Sequence, residues 1–85
     1  MKLSKDFITQ DIDGTQVMVS VGDGFHGIVR SNRTAADIVD LLAEETTEEE
    51  IVEAMAEKYD APREVIEEDV QKILQTLRGI NALEE

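Results

Sequence analysis

The sequence predicts an α+β domain: a three-stranded antiparallel meander followed by three helices, arranged like a winged helix-turn-helix. Three observations carry this. The apolar period changes from two to about 3.6 near residue 32. Asp13-Gly14 and Gly22-Asp23-Gly24 separate three short alternating runs, as turns do in a meander. Thr47-Glu48-Glu49-Glu50 and Asp60-Ala61-Pro62 then divide the remainder into three helical segments. Eighty-five residues fit one domain, so 1–85 is read as a single unit.

The first strand is placed at about 7–12, where Ile8, Gln10 and Ile12 alternate with Phe7, Thr9 and Asp11. Asp and Gly both tolerate the positive φ of a type I′ turn, so Asp13-Gly14 predicts a two-residue hairpin. The second strand follows at 15–21, with Val17, Val19 and Val21 on one face and Met18 and Ser20 on the other. The third, 25–30, is expected at the edge of the sheet.

Asn32 is the expected N-cap of a helix at 33–43, with Ala35, Ile38, Val39 and Leu42 on one stripe. Thr47 and Glu50 have capping-box spacing before a helix at 48–59 that buries Ile51, Ala54, Met55 and Tyr59. Pro62 suits the first turn of a helix at 62–78, with Ile66, Val70, Ile73, Leu74 and Leu77 inward. Gly79 is expected at C′, with Ile80 folding back on Leu74 and 80–83 forming a short extended tail.

Composition excludes several functions. Acidic residues number 20 against 8 basic, a net charge of −12, with −2 on residues 1–43 and −10 on 44–85. Such a surface repels nucleic acid and anionic membranes and attracts basic protein faces. The helix at 62–78 that would read DNA carries −1, whereas a nucleic-acid module shows a basic face. No apolar run exceeds three residues, too short for a signal-peptide core or a membrane span, so a cytoplasmic protein is expected. Without Cys there is no thiol nucleophile or thiolate metal site. His26, the only histidine, lacks the neighbouring groups that catalysis needs. Asp11 to Gly14 resembles a calcium loop, but Gln16 and Gly22 stand where that loop needs Gly and Glu. The glutamates at 44, 45, 48, 49 and 50 offset the positive end of a helix dipole. Neither enzyme activity nor a cofactor or metal is expected.

Two features point to binding. The strand Phe25-His26-Gly27-Ile28-Val29-Arg30 would leave unpaired backbone groups at the sheet edge, and Gly27 would let a second backbone approach closely. Val65 lies about 100° from the centre of the third helix's apolar stripe, on a shoulder with Asp69, Lys72 and Thr76. An apolar residue on such a shoulder is either half-buried packing or one wall of a groove.

Phe25 to Ile38, then Leu41-Leu42, Thr47-x-x-Glu50-Ile51, Tyr59-Asp60, Asp69-Val70 and Leu74-x-x-Leu77 form an ordered series over about residues 7–83. This series resembles the PqqD-like family: the pyrroloquinoline quinone synthesis D proteins and their relatives, recognition elements for ribosomally made, modified peptides. Ser31 stands where the family usually has Leu, and Val39 where it often has an aromatic residue. The resemblance implies a non-catalytic chaperone. It would bind the leader segment of a precursor peptide as an added strand and present it to a modifying enzyme, commonly a radical SAM enzyme. The peptide-binding residues would then be Phe25, His26, Gly27, Ile28, Val29, Arg30, Val65, Ile66, Asp69, Lys72, Ile73 and Thr76. A winged-helix scaffold or regulatory domain that binds another protein without binding a leader is the alternative. An exposed edge would also permit a homodimer paired strand to strand.

Overall fold

The computed structural model describes residues 1–21 and 28–85, with residues 28–31 described by their backbone. In chain order the elements are β1 (Lys2–Leu3), β2 (Phe7–Ile12), β3 (Thr15–Ser20), β4 (Ile28–Ser31), α1 (Arg33–Leu41), α2 (Glu48–Lys58), α3 (Arg63–Gly79) and β5 (Leu83–Glu84). The class is α+β, as expected. Beside the antiparallel meander β2-β3-β4 there is a second, two-stranded sheet joining β1 to β5. The third strand runs on to Ser31, and Phe25, His26 and Gly27 lie outside the described residues.

Asp13 (φ 52°) and Gly14 (φ 83°) form the predicted hairpin turn. Its register pairs Ile12 with Thr15, Thr9 with Met18 and Phe7 with Ser20. Phe7 and Met18 therefore share one face, and both are buried in the core, whereas Ile8 and Ile12 on the opposite face stay exposed. Against Phe7 and Met18 pack Ile38, Val39 and Leu42 from α1 and its cap, Ile51, Val52 and Met55 from α2, and Ile66, Val70, Leu74 and Leu77 from α3. The Gln16 side-chain amide donates to the Asp40 carboxylate at 2.9 Å, tying the sheet to α1.

The helix starts follow the sequence closely. Asn32 Oδ1 accepts from the Ala35 amide at 2.8 Å, and Thr47 Oγ1 accepts from the Glu50 amide at 3.1 Å. The reciprocal arm of the expected capping box is shifted: the Glu50 carboxylate accepts from the Thr46 hydroxyl at 3.4 Å. Pro62 stands just before α3, and its carbonyl accepts from Val65 and Ile66.

The end of α3 differs from expectation. Gly79 is the last helical residue, and Asn81, at φ 58°, takes the left-handed position. The Asn81 amide donates to Arg78 and the Ala82 amide to Leu77, which is the Schellman pattern displaced by two residues. Ala82 is fully buried beside Leu77, so the apolar contact that closes the motif falls on Ala82 in place of Ile80. The chain then pairs Leu83 with Leu3 and Glu84 with Lys2. Asn81→Ala should cost about 1 kcal/mol in urea denaturation, because Ala resists the left-handed region, while Asn81→Gly should be neutral or slightly stabilising.

Candidate functional site

The backbone of β4 is the first component of the site. A two-residue turn closes on a hydrogen-bonded pair, here Ile12 with Thr15. Such pairs alternate along an antiparallel ladder, so Gln10–Val17 and Ile8–Val19 are also hydrogen-bonded. The Val21 amide donating to Asp6 at 2.7 Å continues the series. The intervening residues of β3, Gln16 and Met18, therefore aim their backbone groups at β4, where they face Ser31 and Val29. By the same alternation, Ile28 and Arg30 turn their N–H and C=O groups to the other side. Among the described residues no strand pairs with that side.

The second component is a cleft of about 120 Å³ where the three helices meet. It is lined by Thr34 of α1, Met55 of α2, Tyr59 and Ala61 of the following turn, and Val65, Ile66, Asp69 and Val70 of α3. Thr34 is three residues beyond the end of β4, so the cleft lies where the edge strand turns into α1. Val65 is 47% exposed and Ile66 is buried, and both line this cleft. Asp69 is there too. Lys72, Ile73 and Thr76 are not among its lining residues. Lys72 is paired with Glu68 at 3.5 Å, the Thr76 hydroxyl donates to the Lys72 carbonyl, and Ile73 packs against the core.

Sequence reasoning missed Thr34 and Ala61 and read Met55 and Tyr59 only as core. Tyr59 is held by a contact that no local pattern announces. Its hydroxyl donates to Asp37 Oδ2, and Lys58 Nζ meets Asp37 Oδ1 at 2.9 Å. This clamps the end of α2 to α1 and fixes the aromatic wall of the cleft. The Tyr59 hydroxyl beside it, and then Lys58, hold the Asp37 carboxyl below its ordinary pKa against the opposing effect of burial. The same bond raises the Tyr59 hydroxyl above the ordinary phenol value, and Asp37 raises Lys58.

The pH window of the clamp follows from these directions. A depressed carboxyl contributes stability that is present above the ordinary carboxylate pKa and lost as pH falls through the depressed value. A raised phenol contributes stability present below its ordinary pKa and lost as pH rises through the raised value. Asp37→Asn should therefore lower the urea midpoint at neutral pH, and the difference from wild type should shrink below about pH 4. A difference that stays constant from neutral pH down through the acid range would mean that Asp37 acts by shape alone.

The model for Coenzyme PQQ synthesis protein D (PqqD) matches residues 15–83. The chain belongs to the PqqD family. Among solved structures, this PqqD-family chain is similar to TbiB1 in complex with the TbiA(beta) leader peptide. The two are 27% identical with a TM-score of 0.85, over 99% of this chain and 95% of that one. A lasso peptide synthetase B1 complexed with its leader peptide has the same fold, at 19% identity and a TM-score of 0.76, over 92% of this chain and 89% of that one. A search of curated proteins gives no match. No helix among the described residues is long and apolar enough to cross a membrane.

Proposed function

We propose that this PqqD-family chain binds the leader segment of a ribosomally made precursor peptide by strand addition to β4 and presents it to a modifying enzyme. The observation that carries this is the edge at Ile28 and Arg30, unpaired among the described residues, which leads to the cleft at Thr34, Val65 and Asp69. Backbone hydrogen bonds to Ile28 and Arg30 give affinity, and alternate side chains entering the cleft give specificity. The similar TbiB1 was solved with a leader peptide, which supports the reading. The residues assigned to binding are Ile28, Val29 and Arg30 on β4, the preceding Phe25, His26 and Gly27, and Val65, Ile66, Asp69, Lys72, Ile73 and Thr76 on α3.

The chain itself carries out no chemistry in this role. Catalysis belongs to the partner enzyme, for which a radical SAM protein is the family expectation, and the setting is the cytoplasm. A leader is disordered when free and must be ordered on binding, so an affinity of about micromolar or tighter is expected, roughly −8 kcal/mol.

The test is a titration of isotope-labelled protein with synthetic leader segments of candidate precursor peptides. Ile28 and Arg30 amides should shift together with Val65 and Asp69. Shifts confined to the far sides of α2 and α3 would favour the protein–protein scaffold.

A further inference from the structure

We infer that Asp69 reads a lysine or arginine placed two residues from the apolar anchor of the bound peptide, a deepening that rests on the strand-addition reading above. The cleft has walls from Met55, Ala61, Val65, Ile66 and Val70, and one carboxylate, Asp69, in its lining. Asp69 is exposed and has no hydrogen-bond or ion-pair partner among the described residues. The cations on and beside the two helices are already held. Lys58 pairs with Asp37, Arg63 with Glu53 at 2.7 Å and Glu67 at 3.1 Å, Lys72 with Glu68, and Arg78 with Glu85. Each of these cations therefore has a carboxylate partner other than Asp69. Arg33, next to Thr34 at the start of α1, is not in the cleft's lining, so among the described residues Asp69 is the one charged side chain there.

Spacing gives the register. Asp69 follows Val65 by four residues, about 6 Å along the helix axis. Same-side residues of an extended strand are two apart, about 6.7 Å. A peptide that seats an aliphatic or aromatic side chain against Val65 thus brings its next same-side residue to Asp69. A cleft of about 120 Å³ has room for one such anchor. The occupant that fits both is a short extended segment with an apolar residue and a Lys or Arg two positions away.

Random twelve-residue peptides displayed against the immobilised full chain test this. Enriched sequences should share an apolar anchor with Lys or Arg two positions to one side. The same selection on Asp69→Lys should replace that preference with Asp or Glu and keep the anchor. For one enriched peptide, changing its basic residue to Ala should weaken binding about fivefold to wild type but not to Asp69→Ala, and the difference should fade at 1 M salt. An anchor enriched with no basic preference, or a preference indifferent to Asp69→Ala, overturns the inference and leaves strand addition standing. Enrichment of no peptide at all overturns both.

Discussion

Ile28→Pro should abolish leader binding, weakening it about a hundredfold or more, while the protein stays folded. The reason lies in the alternation of the ladder. The Ile28 N–H points away from β3, so replacing it removes no hydrogen bond of the β3–β4 ladder, and Pro is tolerated on an edge strand when its N–H side faces solvent. For the guest strand the same change deletes a donor and places a ring in the seat. An unmet acceptor at a buried interface costs about 1–3 kcal/mol before steric exclusion is added, and 2.7 kcal/mol is already about a hundredfold. Val29→Pro is the matched control. Val29 faces Met18, a fully buried core residue, in a hydrogen-bonded pair, so that change should disturb the sheet itself. Circular dichroism should find Ile28→Pro with wild-type helix content and Val29→Pro with a lowered melting temperature. Unchanged affinity in folded Ile28→Pro would remove the β4 edge from the site.

The contrast between these two positions shows what was legible in the sequence. Asp13-Gly14 fixes the hairpin register, and the register decides by parity which β4 residues look outward. Asn32 and Thr47 likewise mark helix starts through a side chain acting on its own next turn. Features that depend on distant partners were not legible. The two-residue strands Lys2–Leu3 and Leu83–Glu84 are too short to show a period and form because each finds the other. Gly79 is the better left-handed residue, yet Asn81 takes that position because doing so buries Ala82 beside Leu77. Val52 was missed beside the Ile51–Met55 stripe because α2 packs against both α1 and α3 and so buries a wider arc than one stripe. In the cleft, the helical angle of Val65 was legible. The Asp37–Tyr59 clamp that sets its aromatic wall joins residues 22 positions apart in sequence, and no local spacing announces it.

Leu74→Ala should cost about 3 kcal/mol, the largest stability loss expected from any single α3 truncation. Leu74 is fully buried and sits between Val70 and Leu77 on the α3 stripe that packs against the other helices. Its removal leaves a cavity that neighbouring side chains can only partly fill. A chain of this length has roughly 4–13 kcal/mol of stability, and a net charge of −12 draws that down through self-repulsion, so the loss is a large share. The groove should survive in the molecules that stay folded, since Val65 and Asp69 lie on the exposed side of α3 and Tyr59 is held by Asp37. Peptide at a hundred times its dissociation constant should then return about 2.7 kcal/mol, because it binds only the folded chain. Urea denaturation of Leu74→Ala with and without peptide measures both numbers. Recovery of stability by peptide in Leu74→Ala but not in Leu74→Ala combined with Ile28→Pro would place the stabilising contact at the sheet edge. Equal recovery in both would place it elsewhere on the surface.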